Sequence, residues 1–163
     1  MKKIILLVAA IFLQQAVQAQ KYMTRSAQVS FFSSTAVENI EAINNEVASV
    51  FDAATGELVF IVPIKSFKFD RALMQEHFNE NYLESDQYPK ADFKGKIENA
   101  AAINYTKEGT TALKAVGALT MHGVTQQVAV PGTLTVKNGN LIFKAVFKVK
   151  NKILILLSQS NME

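Results

Sequence analysis

Along most of the chain, apolar and polar residues alternate with a period of two, the pattern of β-strands that bury one face. The clearest example is residues 133–149, where two alternating runs flank an Asn-Gly dipeptide. Asn-Gly between two such runs is a strong local signal of a β-hairpin. A two-residue loop pairs Val136 with Leu141 and Leu134 with Phe143. We therefore predict that these four side chains share one face of a sheet, which must be covered.

Other short runs with the same alternation predict further strands. They lie at residues 27–33, 48–51, 58–69, 93–98, 113–121 and 126–130. Glycine-containing dipeptides between many of them predict turns, at Thr55-Gly56, Glu108-Gly109, His122-Gly123 and Pro131-Gly132. The sequence thus predicts a mainly β, antiparallel protein.

Residues 70–85 interrupt the strands with a different period. Met74, Phe78 and Tyr82 recur every four residues, and Asp70 is a residue that caps helix N-termini well. We predict one amphipathic helix here. Because one short helix cannot cover a whole sheet, the pattern favours a β-barrel with a helical flap over one opening. Closing the sheet on itself also removes its exposed edges.

The N-terminus has the composition of a secretory signal peptide. Lys2 and Lys3 precede an apolar run at 4–13, and small residues stand before position 20. The alternative is a membrane anchor, but the run is shorter than the roughly 20 residues that span a bilayer. We expect residues 1–19 to be removed and the protein to be exported, to the periplasm or the medium, without stable membrane insertion.

Residues 20–163 are enough for one domain with one core. The formal net charge is +3, and removal of Lys2 and Lys3 lowers it to +1. A domain this close to neutral lacks the excess of positive charge that is typical of nucleic-acid binding. There is no Cys, so disulfides and thiol chemistry are excluded. Packing alone must hold the fold.

The sequence gives no sign of an active site or a cofactor. It has two His, at His77 and His122, and no nucleophile elbow or phosphate loop. The two His could form a distant metal pair with Asp86 or Glu76, but local hydrogen bonds that fix the flap and the turn are the favoured interpretation. A hydrolase is disfavoured because no nucleophile and base are recognisable. The acidic residues of the helical stretch, Glu76, Glu80, Glu84 and Asp86, are typical of a solvated face.

Two segments carry a resemblance to a known family. They are SFKFDRALMQEHFNENYLESDQYPKADFKG at 66–95 and LTMHGVTQQV at 119–128. The matching positions are Met74, His77, Phe78, Leu83, Tyr88, Pro89, Phe93 and residues 119–125. Together they resemble the YceI-like family of secreted lipid-binding β-barrels, from about residue 22 to residue 149. The resemblance implies a lipocalin-like barrel of about eight strands that encloses an isoprenoid chain without chemical turnover.

The apolar residues fit either a filled or a hollow barrel. The chain has eleven Phe and five Met and is 49% hydrophobic. A barrel of eight strands can be packed with side chains or can hold one ligand, so these residues alone leave both possibilities open. A filled barrel would make the protein a structural module that binds a protein partner.

The family resemblance implies the hollow form, with a long-chain isoprenoid or similar lipid as the bound partner. The predicted lining is Phe60, Val62, Phe67, Phe69, Met74, Phe78, Tyr82, Phe93, Val116, Met121, Leu141, Phe143 and Phe147. Lys65, Lys68, His77 and Tyr82 are candidate residues of the cavity mouth.

The C-terminus departs from the family pattern. Members continue with an Asp-aromatic-x-Ile-x-Ile-Pro segment and a closing strand, whereas this chain reads NKILILLSQSNME. Codons permitted for residues 152–159 read in another frame as Asp-Phe-Asp-Ile-Thr-Ile-Pro, so we hypothesise a frameshift. We expect one of two outcomes. Either the edge of residues 141–149 lacks a partner, or residues 152–157 fold back as a substitute strand.

Overall fold

The computed structural model describes residues 21–34, 39–149 and 153–159. Eight strands pair in chain order, each antiparallel to the next, and the last pairs with the first to close a barrel. The strands are β1 (Lys21–Ser34), β2 (Asn39–Asp52), β3 (Glu57–Pro63), β4 (Lys90–Ile97), β5 (Gly109–Met121), β6 (Val124–Lys137), β7 (Asn140–Val149) and β8 (Ile153–Gln159). The predicted antiparallel barrel is confirmed. The predicted signal peptide, residues 1–19, lies outside the described residues.

The β6–β7 hairpin has the predicted register. Val136 pairs with Leu141 and Leu134 pairs with Phe143. The turn residues Asn138 and Gly139 have φ angles of 51° and 76°, the left-handed values that a two-residue turn of type I′ requires. All four paired side chains are buried.

Pro131-Gly132 does not form the predicted turn. Strand β6 runs straight through it, and Pro131 pairs with Lys114 of β5. On the other side of β6, the described ladder with β7 ends at Gly132 and Ala145. Pro131 lacks an N–H and cannot donate to a partner strand. The dipeptide therefore marks the point at which β6 and β7 part.

The chain beyond β7 closes the barrel. β8 pairs with residues 143–149 of β7 on one side and with residues 28–33 of β1 on the other. The expectation that β7 lacks a partner is therefore wrong, and the alternative of a strand near residues 152–157 is the one observed.

The flap, residues 64–89, joins β3 to β4 and contains a shorter helix than predicted. Helix α1 (Ala72–His77) begins after Arg71, so Asp70 is not its cap. A π-helical turn, Phe78–Tyr82, follows, and the Leu83 N–H donates to the Phe78 carbonyl at 2.9 Å. Because a π turn joins residues five apart, Leu83 rather than Tyr82 stands one turn after Phe78. Within the described residues, no helix has the length and apolar character needed to cross a bilayer.

Backbone pairing and one buried side chain fix the start of the flap against β2. Ile43 and Lys68 exchange two backbone hydrogen bonds, of 3.1 and 2.8 Å. The fully buried Asn44 donates from Nδ2 to the Pro63 carbonyl at 2.7 Å and accepts from the Glu46 N–H at 2.8 Å. A buried amide with both groups satisfied stabilises one position of the chain. The flap is thus anchored where it leaves β3.

Strands β4 and β5 approach most closely at two facing glycines. Gly95 lies opposite Gly117 in the ladder. A Cβ added to Gly117 would lie 2.3 Å from the Lys94 carbonyl oxygen and 2.4 Å from the Gly95 Cα. Both contacts are to backbone, which cannot rotate away.

We expect Gly117→Ala to destabilise the barrel by about 1–3 kcal/mol, the usual cost of overpacking. Denaturant unfolding measures this free energy. Gly139→Asn is the control, since no atom lies within 4 Å of the Cβ position there and Asn tolerates the left-handed backbone of this turn. Equal stability of the two variants would contradict the close approach of β4 and β5.

A second prediction concerns closure. We expect the β7 amides to be strongly protected from hydrogen exchange in the monomer, because β7 has a partner on each side along residues 143–145 and pairs with β8 up to Val149. Exchange read by mass spectrometry or NMR measures this. Rapid exchange throughout residues 146–149, which rely on β8 alone, would show that β8 does not hold the barrel closed.

Candidate functional site

The barrel interior is divided into a filled base and a hollow upper half. The base lies towards the β6–β7 hairpin, and the flap lies at the opposite, upper end. The upper half contains a cavity of about 330 Å³. Apolar side chains form nearly all of its wall.

Nine of the thirteen predicted lining residues line this cavity. They are Phe60, Val62, Phe67, Phe78, Tyr82, Phe93, Met121, Phe143 and Phe147. They come from β3, the flap, β4, β5 and β7, so the predicted faces of these strands are brought together around one space. Their role in ligand binding stays a prediction.

The other four predicted residues lie elsewhere. Phe69 packs behind the wall, with its ring 4.9 Å from that of Phe78. Met74 is half-buried on α1. The odd-numbered residues of β5 face the cavity, so Val116 belongs to the outer face. Leu141 faces inwards but is fully buried in the base.

Sequence reasoning missed several wall residues, among them Phe31, Leu58, Leu119 and three small ones. Ala91, Ala115 and Ala145 line the cavity, but the prediction selected large apolar side chains. Their signal was present, since Ala91 stands two positions before Phe93 and Ala145 two positions after Phe143, on the same faces. Small side chains in the wall leave space inside the barrel.

Aromatic contacts close the base of the cavity. The ring of Phe143 lies 5.1 Å from that of Phe51, which lies 5.4 Å from Tyr105. Phe51 is fully buried. The Tyr105 hydroxyl donates to the Ala100 carbonyl at 3.0 Å, and burial raises the pKa of this phenol. These groups pack together below the cavity.

The flap is held over the upper end by a second aromatic cluster. Phe78 is its centre, with ring centroids 5.2 Å from Phe31, 5.6 Å from Phe67 and 4.9 Å from Phe69. Phe31 belongs to β1 and the other three to the flap. The cluster thus joins the flap to the barrel wall through apolar packing.

A polar contact joins the far end of the flap to the β5–β6 turn. Glu84 Oε2 and His122 Nε2 are 2.6 Å apart, and the Tyr88 ring lies 4.7 Å from the His122 ring. Tyr88 also sits over Gly123, where an added Cβ would approach it to 2.7 Å. Because His122 lines the cavity, this contact fixes one side of the mouth.

The four predicted mouth residues lie in different surroundings. Lys65 pairs with Asp86 at 2.5 Å on the surface. Tyr82 lines the cavity, with 56% of its surface exposed. His77 is exposed on α1, and Lys68 is exposed at the start of the flap. Among the described residues, no group of three or more His, Asp or Glu is placed to hold a metal ion.

An antiparallel barrel with a filled base, an apolar cavity and a flap over its upper end has the architecture of lipocalin-like proteins, which enclose small ligands. The profile of the YceI-like domain matches residues 18–154. The chain therefore belongs to the YceI-like family. A comparison with curated proteins found no match.

Solved structures with the same fold include three bacterial proteins. A polyisoprenoid binding domain from Saccharophagus degradans, implicated in plant cell wall breakdown, has a TM-score of 0.72 at 10% identity, covering 88% of this chain and 100% of that one. Burkholderia cenocepacia BcnA has a TM-score of 0.69 at 18% identity, covering 83% and 96%. A Campylobacter jejuni YceI protein has a TM-score of 0.60 at 17% identity, covering 80% and 88%. At these identities, the similarity shows that this chain and the three proteins share a fold.

We predict that Phe78→Ala lowers the free energy of unfolding by about 3–5 kcal/mol, the cost of deleting a buried Phe. Denaturant titration provides the measurement. Leu73→Ala, on the same helix but 62% exposed, should change it by about 0.5 kcal/mol or less. Similar effects of the two variants would show that the aromatic cluster does not hold the flap.

Proposed function

We propose that this protein binds one long-chain amphiphilic lipid, of isoprenoid-like type, in the barrel cavity and carries or sequesters it without chemical turnover. The observation that supports this most directly is the cavity itself, which is apolar, closed at its base by Phe143 and Phe51, and open towards the mouth. An elongated apolar chain with a polar end fits such a shape.

Apolar burial would supply the affinity. Each CH₂ group removed from water contributes about 0.8 kcal/mol, so a prenyl or alkyl chain needs few polar contacts to stay bound. A volume near 330 Å³ lies at the small end of the range for small-molecule sites. The cavity therefore suits one chain rather than several.

The wall offers little for catalysis. The side chains with acid–base chemistry that line it are Asp92, His122, Lys144 and Tyr82. His122 is bonded to Glu84, and Asp92 lies 3.8 Å from Lys94. No hydroxyl is hydrogen-bonded to a basic side chain among the described lining residues, so binding is the function that this chemistry supports.

The fold of the solved relatives supports the same proposal. One of them is described as a polyisoprenoid binding domain, and its barrel superimposes on this one over most of both chains. The alternative of a filled barrel that serves only as an interaction module is disfavoured by the hollow upper half. The N-terminal sequence supports export, and we place the protein in the periplasm or the medium.

Organic extraction of the purified protein followed by mass spectrometry tests the proposal. We expect one class of long-chain lipid at a stoichiometry near one. Ala115→Phe should abolish its recovery, because Ala115 is buried in the cavity wall and a phenyl ring there would fill the space.

Ala118→Phe is the matched control. It adds the same ring to the same strand, but on the outer face. We expect this variant to keep its lipid. Equal lipid recovery from folded Ala115→Phe and Ala118→Phe proteins, checked by circular dichroism, would refute binding in the cavity.

A further inference from the structure

The cavity reaches the outer surface between β6 and β7. Thr133 and Lys144 pair across the two strands and belong to their outer faces, yet both line the cavity. They stand one position below Gly132 and Ala145, where the described ladder ends. Beyond this point the strands part, so the cavity continues sideways through the wall.

The residues around this opening are more polar than the rest of the wall. Gln126 lies above it on β6, with Thr133 and Lys144 at its lower end. They supply an amide, a hydroxyl and an ammonium group. Phe147 of β7 and the half-exposed Val124 of β6 complete the rim. An apolar cavity thus ends at a polar side opening.

These polar groups have no partners within the described structure. No side-chain hydrogen bond or ion pair joins Gln126, Thr133 or Lys144 to another described residue. In contrast, His122 at the flap is bonded to Glu84. The hydrogen-bonding capacity of Gln126, Thr133 and Lys144 is therefore available to a ligand between β6 and β7.

The chemistry of the three groups selects the kind of ligand end that fits. A Lys ammonium has three donors and no acceptor, and both the hydroxyl and the amide have donors. Charge-assisted hydrogen bonds to an oxyanion are the strong ones. No acidic side chain lies within 4 Å of Lys144 to compete among the described residues.

We propose that the opening between β6 and β7 is the head-group site of the bound amphiphile, and that the head group is an anion, a carboxylate or a phosphate, held by Lys144 with Thr133 and Gln126. The apolar chain then extends from this opening into the cavity. The inference rests on the proposed function and adds the charge of the ligand and the place of its polar end.

The test uses two pairs of amphiphiles that share a chain and differ in the head group. Farnesol is compared with farnesyl monophosphate, and hexadecanol with palmitate, in lipid-stripped protein by displacement of a fluorescent probe. We expect at least one anion to bind about three- to tenfold more tightly than its alcohol at low salt, and the preference to shrink as salt is added. Which pair shows the larger preference assigns the anion.

Lys144→Gln should remove this preference and leave the affinity for the alcohols within about twofold. Lys148→Gln is the matched control, since Lys148 lies four residues along β7 on the same outer face but does not line the cavity. It should keep the preference. Thr133→Val, which preserves side-chain shape, should weaken anion binding in the same direction.

Two results would overturn the inference. In the first, the wild type binds alcohols and anions equally. In the second, Lys144→Gln and Lys148→Gln behave alike, with melting temperatures equal to that of the wild type. If none of the four amphiphiles binds to the wild type, the proposed function itself fails, which is distinguishable because the alcohols need only the cavity.

Discussion

Closure of the backbone ladder is the constraint on which this structure depends. Every strand has a partner on each side over part of its length, and β8 completes the ring by pairing with both β7 and β1. Hydrogen bonds around the ring hold the wall, so the interior does not have to be filled to keep the strands in place. A hollow upper half is possible because the wall supports itself.

Side-chain size then decides which part of the barrel is filled. Phe51 and Leu141 are fully buried in the base, whereas Ala91, Ala115 and Ala145 line the cavity above them. The same alternation of inward and outward residues runs through both halves. Large, fully buried side chains therefore fill the base, and the space for a ligand lies above it.

The sequence predicted the fold better than the details of the site. The Asn-Gly turn fixed the register of β6 against β7, so Leu134 and Phe143 were placed correctly. Alternation puts Val116 and Met121 of β5 on opposite faces, but it cannot show which of the two faces inwards until the neighbouring strands are known. It also could not reveal the π turn, which brings Leu83 as well as Tyr82 to the cavity wall. Such a turn depends on how the flap packs against the barrel.

Pro131-Gly132 was the most instructive error. The dipeptide is typical of turns, but here strand β6 continues through it and only the partner on one side is lost. Proline removes a donor, and that loss can end one ladder without ending a strand. A turn signal within an alternating run can therefore indicate an opening in a barrel wall.

The ladder between β1 and β8 also has the largest sequence separation in the barrel. It joins residues 28–33 to residues 153–158, whereas the other ladders join strands that are neighbours in sequence. Contacts of such long sequence separation slow the folding of β proteins. Without β8, strands β1 and β7 would each keep an unpaired edge. The cavity wall is therefore complete only once β8 has paired with both β7 and β1.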